Sequence, residues 1–241
     1  MGSVYRVRPL NDNTLSELNE SYLWFSKPSG FKDVEDSNIQ LMIDENEIVQ
    51  KAFSLILKED GIAELKEKMK HIGICCFTKT LPTTERKKRL PKGENSICVE
   101  YDKEKLSDYF LNKEKLPDCF KEIIYSNKPI KVEKEDDYHF LYQKDENGEL
   151  YKSIFEMQRN PQKRDEFMFF LLTRINEKFK QQEEIRIIWA GFRIKESEDM
   201  GYHINIPKEC IKYIHIYPNT DPDFVDKIKK LGYDVKDYTG E

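Results

Sequence analysis

The residues of this chain whose types and spacing could do chemistry lie in the stretch Gln182-Glu183-Glu184-Ile185-Arg186. If the backbone after Lys180 is extended, side chains alternate between two faces. Gln182, Glu184 and Arg186 then share one face, while Ile185, Ile187 and Trp189 share the other. A carboxylate, a carboxamide and a guanidinium backed by apolar anchors can hold a polar ligand or stabilise a developing positive charge. A half-buried strand with one solvated face satisfies the same pattern.

Other chemistry-bearing residues form no established signature. The four histidines, His71, His139, His203 and His215, show no metal-ligand spacing. Cys75 and Cys76 are neighbours within an apolar run, so on a strand they point to opposite faces and are poorly placed to share a metal. The chain has no P-loop, GxSxG, GxGxxG or HExxH motif. The basic run Glu85 to Arg89, ERKKR, could hold a phosphate-bearing partner through charge-assisted bonds, or could be a solvated loop.

Composition narrows the classes. The chain has 241 residues, of which 38% are hydrophobic and 35% charged, and a formal net charge of −5. That is enough apolar material for a sizeable core under a densely charged surface. The acidic balance disfavours a general nucleic-acid coat. Five cysteines, an odd number with no CxxC pair, point to reduced thiols in a cytoplasmic protein. No apolar run approaches the length of a membrane span.

The elements that must position these residues can be read in order. Val4 to Arg8 and Tyr22 to Ser26 alternate as strands, with a capped helix from Thr14 to Glu20 between them. Helical spacing covers Asp44 to Leu57 and Gly61 to Lys70. His71 to Thr78 and Ser96 to Tyr101 are strands, and the intervening Lys79 to Asn95 is expected to be an exposed loop. Short helices are expected at Asp102 to Asn112 and Pro117 to Glu122. A broken strand pair should follow at Ile123 to Glu133, with a short apolar piece at Tyr138 to Tyr142. A long amphipathic helix from Gln162 to Lys180 should feed the Glu184 strand. Strands at Tyr202 to Ile206 and Tyr213 to Tyr217 precede a helix capped by Asp221, with Pro222 at its first position and Gly232 past its end. A last short strand is expected at Tyr233 to Asp237. These add up to one α+β domain over residues 1–241, with short, mostly antiparallel strands flanked by helices.

Several of these segments carry a family resemblance. YLWFSKPSGFKD (Tyr22 to Asp33), GICCFT, SICVEYD, QQEEIRII and CIKYIHIYPNTD resemble motifs of the bacterial domain-of-unknown-function 2971 family, over most of the chain. Two positions depart from that pattern: Glu85 to Asn95 lacks Trp and His, and Lys32 stands where an Asn is usual.

A more distant similarity is to mono-ADP-ribosyltransferases of the Arg-Ser-Glu type. Tyr5-Arg6 in the first strand, Ser26 ending the second and Gln182-Glu183-Glu184 occur in the same order here. The resemblance implies a split-sheet fold and NAD as substrate, with Tyr5, Arg6 and Ser26 in the NAD site and Glu184 and Gln182 catalytic. The implied physical roles are a guanidinium that holds pyrophosphate bidentately and a carboxylate that stabilises an oxocarbenium ion. It further implies a macromolecular acceptor, a toxin or antiphage role, and an antitoxin or other defence-system partner. Two alternatives stand beside it. One is a metal-dependent nuclease around Glu184 and Arg186; the other is a non-catalytic binding module. The transferase reading requires Arg6, Ser26 and Glu184 to converge on one cleft.

Overall fold

Alternation along Ser3–Pro9 places Val4, Arg6 and Arg8 on one side of strand β1 and Ser3, Tyr5 and Val7 on the other. The computed structural model describes residues 2–31, 67, 69–90, 93, 95–126, 172–189 and 201–238. The helix expected at residues 44–57, most of that at 61–70, the piece at 138–142 and residues 162–171 lie outside them.

Among the described residues, nine strands form one mostly antiparallel sheet. They are β1, β2 (Tyr22–Ser26), β3 (Gly73–Thr78), β4 (Ser96–Asp102), β5 (Phe120–Glu122), β8 (Glu184–Trp189), β9 (Gly201–Asn205), β10 (Ile211–Ile216) and β11 (Val235–Asp237). Two further strands, β6 (Ile124–Ser126) and β7 (Arg174–Asn176), pair in parallel as a separate ribbon. The central strand β3 pairs along its whole length with β8. Its other edge is shared: β1 pairs at Thr78 and β2 at Ile74. The sheet therefore divides beside β3 into a β2–β9 branch and a β1–β4–β10–β11 branch.

Directly opposed residues on antiparallel strands share a face. One face carries Val4, Leu23, Phe25, Cys75, Phe77, Val99, Tyr101, Ile185, Ile187 and Ile214, all part of the buried core. Among the described residues, three helices cover it. Helix α1 (Asp12–Glu20) contributes Leu18, α3 (Lys103–Asn112) contributes Leu106 and Phe110, and α4 (Pro222–Lys230) contributes Phe224 and Ile228. Helix α2 (Thr84–Arg89) lies on the opposite, polar face, as its Arg86 contacts with Thr78 show.

Caps account for the helix starts. Asn11, Thr83, Asp102 and Asp221 each accept from a backbone N–H of the first turn. Pro222 opens α4, and Gly232 beyond its end adopts φ +78, the left-handed region.

Three expectations change. Lys79 to Asn95 is not all loop, because Thr83 caps α2. Phe120–Glu122 is a strand rather than helix, since β8 offers it an edge to pair with. The long helix does not reach Lys180. Arg174–Asn176 is strand, and Asn176 then caps a 3-10 turn over Glu177–Gln182. Pairing with β6 overrides the helical periodicity there.

Candidate functional site

Strand register decides which chemistry-bearing side chains meet. Tyr5 is opposite Thr78, and Thr78 is opposite Glu184, so these three form a row across β1, β3 and β8. Glu100 extends the row on the other side of Tyr5. Ser26, opposite Ile74, belongs to the same face four residues along β3 from that row. Tyr5, Ser26 and Glu184 thus share the polar face.

Arg6 does not. It points to the core face, 8% exposed, and its Nη1 donates to Glu17 Oε1 at 2.9 Å. Its guanidinium lies 5.6 Å from the Phe77 ring centroid. Arg8 also pairs with Glu17, and the Tyr101 hydroxyl donates to Glu17 Oε1 at 3.4 Å. Burial alone would lower the Arg6 pKa, but Cys75, Glu17, Tyr101 and Cys76 together hold it above its ordinary value. The ordered Arg6, Ser26, Glu184 constellation is therefore not assembled in one cleft: Arg6 stabilises α1 against β1.

Gln182 is also displaced from its expected place. It ends the 3-10 turn before β8, and Glu183 then takes a left-handed conformation with φ 47. That turn breaks the alternation, so Gln182 is not a face-mate of Glu184 on the strand. What it supplies is a backbone carbonyl, which accepts from Arg86 Nη2 at 2.9 Å.

Glu184 itself is 6% exposed and tied to Arg186, which is fully buried. Arg186 Nε donates to Glu184 Oε1 at 2.6 Å and Nη2 to Oε2 at 3.2 Å, a forked pair. Arg186 Nη1 donates to the Leu172 carbonyl at 2.9 Å, and the guanidinium lies 5.7 Å from the Phe31 ring centroid. The Tyr125 hydroxyl accepts from the Glu184 backbone N–H at 2.7 Å. Both carboxylate oxygens are engaged by the chain itself.

A second buried cluster sits further along this face, near the β10 edge. His215 Nε2 is 2.7 Å from Glu100 Oε2, and Ser3 Oγ donates to Glu100 Oε1 at 2.6 Å. Lys212 Nζ is 3.3 Å from the same oxygen and 2.9 Å from Ser3 Oγ. Burial alone would raise the Glu100 carboxyl, but bonds from Ser3, His215 and Lys212 outweigh it and hold the pKa below the usual value. Register could not be read from sequence, so this pair was not foreseen.

Besides Arg186, the guanidinium of Arg86 on α2 reaches the Glu184 end of the sheet. It donates to the hydroxyls of Thr78 and Thr80. It also donates to the carbonyls of Gln181 and Gln182, each at 2.9 Å, and pairs with Glu183 at 2.8 Å. This network pins α2 to the β3 and β8 ends. Arg89 adds a bond to Gln181 Oε1 at 3.3 Å. The run ERKKR is thereby a fixed, cation-bearing helix instead of a solvated loop. Thr83, three residues before Arg86, was the sequence signal for it.

Among the described residues no three His, Cys, Asp or Glu side chains converge to hold a metal. No described helix is long and apolar enough to cross a membrane, and all five cysteines are free thiols. No family model, no curated protein and no solved structure matches this chain.

Proposed function

We propose that the chain is a binding module for a phosphate-bearing ligand, working through the side of its polar sheet face on which α2 sits. The observation that carries this is the Arg86 network, which pins α2 to the sheet and with it presents the exposed Lys88 and Arg89 on an otherwise acidic protein. A rigid basic element loses little conformational entropy on meeting an anion. Glu184, the carboxylate that the transferase reading requires, is held by internal partners.

The test is calorimetric titration with inorganic tripolyphosphate at low and high salt. Binding should be measurable at low salt, weaken as salt screens it, and be lost in the Lys88→Glu/Arg89→Glu protein. Absence of binding at low salt sinks the reading.

A second reading is favoured by the shared face of Tyr5, Ser26 and Glu184. In it the chain consumes NAD as an ADP-ribosyltransferase-like enzyme of the kind its motifs resemble, with a toxin or defence role and a neutralising partner. The reading as set out from sequence required Arg6 to join that face, and Arg6 faces the core instead, so this version keeps only Tyr5, Ser26 and Glu184. Purified protein with NAD would release nicotinamide, with or without lysate as acceptor, and no release in either condition removes the reading.

A further inference from the structure

Behind α2 the polar face is hollow. A cavity of about 280 Å³ is lined by Thr84, Lys87 and Lys88 of α2, by Asn95 and Ser96 at the start of β4, and by the segment Tyr217 to Thr220. Thr84, Lys87 and Lys88 are spaced i, i+3 and i+4, so one face of the helix forms the wall. Ser96 and Tyr217, at the adjacent ends of β4 and β10, form the floor. The turn from Tyr217 to Thr220 closes the far side, locked by Thr220 Oγ1, which accepts from Tyr217 N–H at 3.0 Å. The lining contains two lysines and no carboxylate.

Lys87 is the unusual member. It is only 4% exposed, donates to the Ser96 carbonyl at 3.1 Å, and lies 4.5 Å from the Tyr217 ring centroid. The Tyr217 hydroxyl donates to the Pro82 carbonyl at 2.8 Å, which fixes that ring. The Lys87 charge lies at the cavity wall away from bulk water, where an anion feels it more strongly than on an open surface. Burial accordingly pushes the Lys87 pKa down. Lys88, at the mouth, forms an exposed pair with Glu85 at 2.9 Å, a bond worth little.

Size sets the ligand class. Sites that swallow a drug-sized ligand run from about 300 to 1,000 Å³, so this cavity takes a small group and not a whole dinucleotide. We infer that the α2 cavity is a subsite for the terminal phosphate of a phosphate monoester, with Lys87 at its back, Lys88 and Asn95 at its mouth, and the esterified group outside. This rests on the reading of the α2 side as the ligand-binding side. A dianionic phosphate matches two ammonium groups, and the exposed side-chain amide of Asn95 supplies an additional donor.

The experiment titrates the full chain with inorganic phosphate and with phenyl phosphate, and in parallel with tripolyphosphate. Wild type should bind both monophosphates with similar affinity. Asn95→Asp and Lys88→Glu, both at exposed positions, should each weaken that binding about tenfold or more while the urea midpoint stays close to that of wild type. Affinity should rise with pH through about 6, where the monoester gains its second charge. If tripolyphosphate binds while neither monophosphate does, or if Asn95→Asp leaves monophosphate binding unchanged, the subsite is wrong and the broader reading stands. If none of the three binds, both fall.

Discussion

The Glu184–Arg186 pair allows stability and catalysis to be separated in one set of variants. Both side chains are removed from water, at 6% and 0% exposure, and they meet through two bonds of 2.6 and 3.2 Å. Removing one partner leaves the other charge buried without its counter-charge, at a cost of about 3–5 kcal/mol. In a chain of this size that corresponds to a fall in Tm of about 6–20 °C. Replacing both groups with apolar side chains of similar volume removes the desolvation cost along with the attraction and should be close to neutral. Arg186→Met and Glu184→Gln should therefore each lower the urea midpoint strongly, while Glu184→Leu/Arg186→Met recovers most of it. A double-mutant cycle then gives a coupling energy well above 1 kcal/mol, about the level of a surface pair. If both single variants unfold within about 1 kcal/mol of wild type, the buried-pair reasoning is refuted. If Glu184→Gln abolishes nicotinamide release with an unchanged midpoint, Glu184 is a catalytic carboxylate after all.

Three further outcomes follow from the same geometry. Arg86→Lys should destabilise by about 2–3 kcal/mol and free α2, because an ammonium cannot span the hydroxyls of Thr78 and Thr80 and the carbonyls of Gln181 and Gln182 together; amide exchange over Thr84–Arg89 as slow as in wild type would contradict this. A Cβ at Gly201 would sit 2.4 Å from the Phe25 carbonyl oxygen and 2.6 Å from the Trp24 ring, so Gly201→Ala should cost about 1–3 kcal/mol by urea unfolding, and a neutral result would argue against the β2–β9 pairing. Burial raises the Cys75 thiol to about 11 and Cys210 to about 12, from an ordinary 9.0. Their folded pKa values lie above the unfolded ones, so this stability is complete below about 9 and is lost as pH climbs through 11 to 12. The raised values of Tyr101 and Tyr233 act in the same direction, and the lowered Lys87 acts against them. The urea midpoint should fall between pH 9 and pH 11, and a rise would show that the thiols are not buried.

The fold was legible wherever local pattern and tertiary demand agreed. Strict alternation in Ser3–Pro9 and Tyr22–Ser26, the apolar run ending in GICCFT and the Asp221–Pro222 start of α4 each specify an element from neighbouring residues alone. Helix α2 was hidden because ERKKR reads as solvated charge unless Thr83 is recognised as its cap. Phe120–Glu122 and Arg174–Asn176 differ from the helices their local pattern predicts because a three-residue strand owes its existence to the edge beside it. No window of sequence contains that edge.

The placement of chemistry divides in the same way. From the residues alone came the alternation that puts Ile185 and Ile187 into the core and Glu184 with Arg186 on the other face of β8. The period of two within one strand is a local property. Sequence order alone also set Tyr5 and Arg6 on opposite faces of β1, but it did not say which face Glu184 would share. That depended on the register Tyr5↔Thr78↔Glu184, which sends Arg6 to Glu17 and brings Arg86 to the end of β8. Register couples residues more than a hundred positions apart through backbone hydrogen bonds. A one-residue slip would turn every side chain over, and only the assembled sheet chooses between the two.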